Sequence, residues 1–110
     1  MSTRILVVDD EPTILLTVKR LLERHGIKVD TADGGEAAKE RLSQTPYDVA
    51  LIDLRMPECD GFDLLAWMAD HAPGVVSIVL SGSTLLEDAV RAVRHGAFDY
   101  VAKPIMDVDD

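Results

Sequence analysis

The sequence predicts an α/β domain built on a five-stranded parallel sheet. Along its 110 residues, short apolar runs alternate with segments whose apolar residues recur at helical spacing. The apolar runs are rich in β-branched residues and apolar throughout, as in strands that are buried on both faces of a parallel sheet. The connections have the length of right-handed helical crossovers. A repeated strand–helix order of this kind predicts one layered α/β domain.

The first half of the chain predicts two strand–helix units. Residues 4–8 form the first strand, and Pro12 opens a helix over residues 13–24 that ends at His25-Gly26. Residues 28–32 form the second strand. Asp33 is the predicted N-cap of the next helix, with Glu36 as its acidic N3 partner and an end near Ser43.

The second half continues the pattern. Strands are predicted over residues 49–52, 75–80 and 99–102, and a helix capped by Asp60 over residues 61–69. Thr84 and Glu87 fit a capping box that opens the last helix, which ends at His95-Gly96. The predicted inward stripe of that helix is apolar: Leu85, Leu86, Ala89, Val90 and Val93.

Composition excludes several classes of function. Twenty acidic and eleven basic side chains give a net charge of −9, which argues against binding to nucleic acid or to anionic membranes. The single cysteine, Cys59, excludes an internal disulfide and fits a reducing compartment, and its loop position predicts exposure. No apolar run approaches the roughly 18 residues of a membrane span. We therefore expect a cytoplasmic module.

Polar side chains stand where four strands end: Asp9 and Asp10, Asp53, Ser81 and Lys103. The carboxyl ends of parallel strands meet at one edge of the sheet, so these groups should face one another. Crowded carboxylates repel unless a cation joins them, and Mg²⁺ prefers such oxygen ligands together with waters and a phosphate. The sequence thus predicts a magnesium site used for phosphoryl chemistry.

These segments resemble the receiver domain of two-component response regulators. The resemblance runs from the first strand to the end of the chain. Its motifs are Val-Val-Asp-Asp-Glu-Pro at 7–12, Leu-Ile-Asp-Leu-Arg-Met-Pro-Glu-Cys-Asp-Gly at 51–61, Ser81-Gly82, and Gly-Ala-Phe-Asp-Tyr-Val-Ala-Lys-Pro at 96–104. It implies a flavodoxin-like, doubly wound sheet with strand order 2-1-3-4-5.

The resemblance also implies roles for the residues that match. Asp53 corresponds to the aspartate that accepts a phosphoryl group from a phosphohistidine. Asp10 and Asp53 correspond to direct Mg²⁺ ligands, Asp9 to one acting through water, and Arg55 to a backbone carbonyl ligand. Lys103 corresponds to the lysine that pairs with a phosphoryl oxygen.

The resemblance further implies a switch that catalyses only its own phosphorylation and dephosphorylation. Ser81 matches a hydroxyl that moves to the phosphate, and Tyr100 an aromatic that swings inward behind it. Arg55 and Ser83 match positions that modulate the lifetime of the phosphorylated state. The implied partners are a sensor histidine kinase or phosphotransfer protein, and an output domain outside this chain.

Each residue taken alone has a structural interpretation. Asp9 or Asp10 would cap the first helix, Tyr100 would be a half-buried strand aromatic, and Lys103 would lie in a loop. His25, His71 and His95 are predicted to be helix-end or exposed residues rather than phosphoacceptors.

Other classes of function remain as alternatives. A phosphohydrolase of the haloacid dehalogenase type needs an acid two residues after its nucleophile, where this chain has Arg55. A dinucleotide-binding module needs a glycine-rich turn after the first strand, where this chain has Asp-Asp-Glu-Pro. A degenerate receiver would act only as an interaction module.

Receivers carry a fifth helix after the Lys-Pro loop, and this chain has six residues after Pro104. Residues 1–110 are therefore expected to be one receiver domain from a longer regulator, with the fifth helix missing or truncated. Part of one sheet face, including Val7, residues 49–52 and residues 76–79, would then stand open, and an open apolar face favours self-association as a homodimer.

Overall fold

The computed structural model describes residues 3–82 and 86–103, in which five strands alternate with four helices. In chain order these are β1 Arg4–Val8, α1 Pro12–Glu23, β2 Lys28–Ala32, α2 Gly35–Gln44, β3 Val49–Asp53, α3 Gly61–His71, β4 Val76–Ser81, α4 Leu86–Arg94 and β5 Asp99–Ala102. The predicted order of elements is confirmed. The capping box at Thr84, the position of Ser83 and the entrance to a fifth helix after Pro104 lie outside the described residues.

The sheet is parallel throughout, with strand order β2-β1-β3-β4-β5, so the predicted doubly wound topology is confirmed. Val8 at the end of β1 pairs with Ala32 and with Ile52. Ser81 pairs with Ala102. This register brings the carboxyl ends of the strands to one edge of the sheet.

Successive residues of each strand point to opposite sides of the sheet, so both of its faces are apolar. Helices cover both faces. On one face, α1 contributes Val18 to a cluster with Ile5, Val7, Val29 and Leu80. On the other face, a larger cluster packs α2, α3 and α4 against residues such as Leu6 and Ile52. None of the described helices is long and apolar enough to span a membrane.

The predicted opening of the α1 face is wrong at Val7, which is 1% exposed. Val7 belongs to the same cluster as Val18, so α1 covers it. Val49 and Leu51 are partly buried against that cluster, whereas Val76, at the start of β4, is 41% exposed. Val101 of β5, which pairs with Leu80 on this face, is also 42% exposed, so exposure here is found at the start of β4 and in β5.

The start of α2 differs from the prediction. The N-cap is Gly34 rather than Asp33, and it makes no side-chain capping bond. A Cβ atom built on Gly35 would clash with the side chain of Cys59, so this glycine allows α2 to approach the loop after β3. Cys59 is consequently buried, contrary to its predicted exposure, and burial raises the pKa of its thiol.

The inward face of α4 also differs from the prediction. Val90 and Val93 are 41% and 57% exposed, while Asp88 and Ala92 on a neighbouring face are buried. The helix is thus rotated so that a small residue and a carboxylate face the protein. An apolar stripe at helical spacing does not by itself determine which face of a helix is buried. Here the small side chain of Ala92 faces the protein and allows closer packing than Val93 would.

Local signals at three other helix ends are confirmed. Asp60 caps α3, since its Oδ1 accepts a hydrogen bond from the backbone nitrogen of Asp63 at 2.9 Å. Gly26 and Gly96 end α1 and α4 with φ of +76° and +99°. This left-handed conformation favours glycine, which explains the repeated His-Gly pairs.

Candidate functional site

The polar residues predicted at the strand ends meet at the carboxyl edge of the sheet. Asp9 and Ser81 are 1% exposed and Asp53 is 5% exposed. Lys103, which follows β5, reaches across the edge to two of the carboxylates. Two buried carboxylates and a lysine are thus brought together at this edge.

Asp9 is held on both of its oxygens. Oδ2 accepts a hydrogen bond from Lys103 Nζ at 2.7 Å, and Oδ1 accepts one from the backbone nitrogen of Glu11 at 2.9 Å. Glu11 is the N-cap of α1 and has no side-chain capping bond. Asp9 therefore organises the turn that leads into α1 and faces Lys103 at the same time.

Asp53 lies in surroundings that disfavour its ionised form. Burial, followed by the negative charge of Asp9, raises the pKa of its carboxyl group above the ordinary value. Lys103, whose Nζ lies 3.2 Å from Oδ1, and the backbone of Arg55 act in the opposite direction. The pKa is raised overall because Lys103 does not fully offset the burial of Asp53 and the charge of Asp9.

A backbone hydrogen bond to β4 positions Lys103 at this edge. Its nitrogen donates to the carbonyl oxygen of Ser81 at 2.8 Å, which extends the pairing of β4 with β5 by one residue. Burial by itself lowers the pKa of the ammonium group, but hydrogen bonding to Asp9 and the charges of both carboxylates outweigh it and raise the pKa. Lys103 is therefore cationic at neutral pH.

Three carboxylates are arranged to hold a cation. Asp9, Asp10 and Asp53 each offer an oxygen, and these oxygens all lie within 4.8 Å of one another. Asp10 is exposed, so the cluster opens to solvent on one side. An all-oxygen set with a solvent-facing side suits Mg²⁺, which keeps several waters when it binds to proteins. The residues present therefore fit the predicted metal.

Beside Asp10, an open cleft of about 280 Å³ lies between the start of α2 and the loop after β3. Its lining includes the acidic residues Asp33, Glu36 and Glu58 and no lysine, arginine or histidine. The cleft exposes the carboxylate of Asp10 to solvent.

The two predicted switch residues occupy neighbouring strands. Ser81 is the last residue of β4 and is buried. Tyr100 lies in β5, partly buried against the larger apolar cluster. The side chain of Tyr100 therefore lies between the core and solvent.

Arg55 contacts a residue that the sequence analysis did not identify. Its Nη2 lies 3.0 Å from Oδ2 of Asp88 in α4. The family resemblance implies a role for this position in the lifetime of the phosphorylated state, and it indicates no partner in α4. Glu87 and Asp88 at the start of a helix look like ordinary first-turn acids, so only the three-dimensional structure reveals the ion pair.

Gly61 is a second residue whose importance was missed. A Cβ atom at this position would lie 2.5 Å from the carbonyl oxygen of Asp53 and 2.7 Å from the Cα of Leu54. The backbone nitrogen of Gly61 donates to the carbonyl oxygen of Leu54 at 2.9 Å. The start of α3 therefore packs directly on the end of β3 and fixes the backbone that carries Asp53. The signal in the sequence is the glycine directly after the capping Asp60.

The three histidines lie at or just after helix ends, as predicted. His71 and His95 bond through Nδ1 to carbonyl oxygens one turn earlier in their helices. His25 is exposed in the turn after α1.

A family model described as the response regulator receiver domain matches residues 5–109. The alginate biosynthesis transcriptional regulatory protein AlgB of Pseudomonas putida is 39% identical over 101 residues, which cover 92% of this chain and 22% of that protein. The chain thus spans about a fifth of the length of this curated relative.

Solved structures agree in fold. A CheY-like receiver domain protein from Methanospirillum hungatei superimposes with a TM-score of 0.90 at 31% identity, over 96% of this chain and 85% of that one. A response regulator from Burkholderia pseudomallei, solved with a phosphorylated aspartic acid, calcium ion and citrate, gives a TM-score of 0.89 at 31% identity, over 96% and 62%.

Proposed function

The chain belongs to the response regulator receiver family, and we propose that it is a Mg²⁺-dependent switch phosphorylated on Asp53. The observation that carries the proposal is the joint placement of Lys103 on Asp9 and Asp53, with Asp10 exposed beside them. Burying these carboxylates and this lysine lowers the stability of the fold unless the charges are well paired, so we infer that they are present for a function.

In the proposed reaction, an oxygen of the Asp53 carboxylate attacks the phosphorus atom of a phosphohistidine on a partner protein. The new oxygen–phosphorus bond forms as the nitrogen–phosphorus bond breaks, and the electron pair of that bond returns to the imidazole. Mg²⁺ held by Asp10 and Asp53, with Asp9 acting through water and the Arg55 carbonyl as a further ligand, would neutralise charge on the phosphoryl oxygens.

Lys103 supplies the second positive charge. Its ammonium group already contacts Asp53 at 3.2 Å and is proposed to transfer that contact to a phosphoryl oxygen. The carbonyl of Ser81 holds the backbone of Lys103, so phosphorylation acts on residues that connect β4 and β5. Ser81 and Tyr100 are the proposed side chains that respond, with Ser81 moving to the phosphoryl group and Tyr100 turning inward.

The partners proposed are a sensor histidine kinase or a phosphotransfer protein, and an output domain beyond this receiver. The open acidic cleft beside Asp10 supports access by a donor protein. The similarity to a much longer transcriptional regulator supports the output domain. A cytoplasmic location belongs to the same proposal, since the single cysteine fits a reducing compartment.

The proposal is tested with beryllofluoride, a phosphoryl mimic, added together with Mg²⁺ while backbone amide shifts are recorded. We expect shifts centred on Asp53 and Lys103 that extend along β4 and β5, and none in Asp53→Asn. A parent chain that shows no response at these residues would instead be a degenerate receiver.

A further inference from the structure

The Arg55–Asp88 ion pair connects the loop that carries Asp53 to the start of α4. Arg55 lies two residues after Asp53, and its Nη2 is 3.0 Å from Oδ2 of Asp88. The two partners differ in environment, because the side chain of Arg55 is 64% exposed and that of Asp88 is 10% exposed. The guanidinium is thus free to exchange with water on one side, whereas the carboxylate is fixed against the protein.

The surrounding face of α4 is polar and charged. One turn after Asp88, the guanidinium of Arg91 stacks over the ring of Phe62 in α3, with its carbon 4.0 Å from the ring centre. His95 packs on the same ring, with centroids 5.7 Å apart. The valines of α4 face outward instead. Charged contacts to α3 and to the loop after β3 therefore help to set where α4 lies.

Phosphorylation would place a second anion near Arg55. A phosphoryl group carries up to about two negative charges near neutral pH, and arginine binds phosphate oxygens through two parallel hydrogen bonds. The backbone of Arg55 already favours the ionised form of the Asp53 carboxyl group and lowers its pKa. The Asp88 carboxylate and the phosphoryl group would then compete for one guanidinium.

We propose that Asp88 is a positioning residue that holds the Arg55 guanidinium on α4 and away from the anion at Asp53. The inference rests on the proposed function of Asp53 and adds a route from that site to α4. When Arg55 turns to the phosphoryl group, α4 loses a contact at its first turn. Conversely, a chain without the Asp88 charge has Arg55 available in advance and binds a phosphoryl mimic more tightly.

The test measures the affinity for beryllofluoride at saturating Mg²⁺ by calorimetry, in the parent, Asp88→Asn, Arg55→Gln and the double variant. Glu87→Gln is the matched control, because it removes the same charge from the adjacent, exposed position of α4. We expect Asp88→Asn to tighten binding by about two- to fivefold, the effect of one partly exposed ion pair. The same substitution should have no effect in the Arg55→Gln background, and Glu87→Gln should leave the affinity unchanged.

An equal effect of Asp88→Asn with and without Arg55, or no tightening at all, overturns the inference while leaving the proposed function intact. A parent chain that does not bind beryllofluoride contradicts both. If Asp88→Asn does not fold, the Arg55 Nε–H resonance of the parent gives the answer. That resonance should shift on addition of beryllofluoride, with Arg94 unchanged, and a stationary Arg55 signal rejects the proposal.

Discussion

The surroundings of Asp53 disfavour the ionised form of its carboxyl group. It is buried beside Asp9, and a single ammonium group, that of Lys103, lies between the two. Such a site gains from an added cation such as Mg²⁺, which would also neutralise part of the larger negative charge of an acyl phosphate. The bound cation, rather than the phosphorylation itself, would therefore relieve the repulsion between carboxylates that the folded chain already contains.

The raised pKa of Asp53 sets a pH dependence of stability. The folded chain holds this proton more tightly than the unfolded chain, so the stabilising contribution is full below the ordinary value of 3.8 and is lost as pH rises through the raised pKa. Asp53→Asn should therefore increase the free energy of unfolding at pH 7, in the absence of metal, and the gain should shrink toward pH 4. Urea denaturation at the two pH values checks this. A variant less stable than the parent at pH 7 would mean that Lys103 outweighs the repulsion.

Lys103 should matter to the fold in the opposite sense. Its side chain is 13% exposed and paired with two carboxylates, so Lys103→Gln should cost about 3 kcal/mol, as expected when one partner of a buried ion pair is removed. Added Mg²⁺ should recover more stability in this variant than in the parent, since it replaces the lost charge. Lys39→Gln is the control, because its partner Glu36 is 70% exposed and the pair contributes little. Equal losses in the two variants would contradict the assignment.

At the scale of elements, the loop between β3 and α3 is the part of the fold most closely tied to the site. Gly61 allows α3 to begin against the backbone of Asp53, and Gly35 allows α2 to begin against Cys59 in the same loop. These two glycines thus allow the first turns of α2 and α3 to lie close to the end of β3 and the loop that follows it. Asp53, the proposed phosphoacceptor, is the last residue of that strand.

Gly61→Ala should therefore destabilise the chain by about 1–3 kcal/mol, the usual cost of forcing an extra group into a packed site. The added Cβ would meet backbone atoms, which do not move as a flexible side chain would. Gly74→Ala is the matched control, because open space surrounds that position, and its effect should stay within about 0.5 kcal/mol. Thermal unfolding of both variants measures the difference. A neutral Gly61→Ala would show that the contact with β3 is not required.

The elements also show where sequence reasoning succeeds. Strand positions were predicted well because fully apolar β-branched runs bounded by Asp, Ser or Gly leave little ambiguity, as in β1 and β3. The rotation of α4 was not predicted, because Val90 and Val93 lie on the face that a hydrophobic pattern assigns to the core. Whether a helix buries its valines or its alanine depends on the partner surface, here Phe62 and the loop after β3, and a sequence pattern does not contain that surface.

For the whole molecule, the candidate site is assembled from segments up to 94 residues apart in sequence. The strand-end positions of Asp9, Asp53 and Lys103 were predictable because a parallel sheet brings such positions to one edge. The hydrogen-bond partners were not, since they depend on side-chain conformations that neither spacing nor charge specifies. The Arg55–Asp88 pair is the clearest example.

Binding of Mg²⁺ at this edge should stabilise the entire domain, because only the folded chain brings the three carboxylates together. At ten times the dissociation constant the gain is about 1.4 kcal/mol, which corresponds to a rise in melting temperature of roughly 5–10 °C for a chain of this size. Asp10→Asn should abolish the rise, while Asp33→Asn, which alters the same cleft at a position outside the carboxylate cluster, should retain it. Equal shifts in the two variants would indicate nonspecific binding to an acidic surface.

Phosphorylation of the intact chain tests the central proposal most directly. Incubation with acetyl phosphate and Mg²⁺, followed by intact-protein mass spectrometry and peptide mapping, should give one added phosphoryl group on Asp53. The adduct should be absent from Asp53→Asn and strongly reduced without Mg²⁺. A full-strength adduct in Asp53→Asn, or one mapped to His25, His71 or His95, would contradict the account.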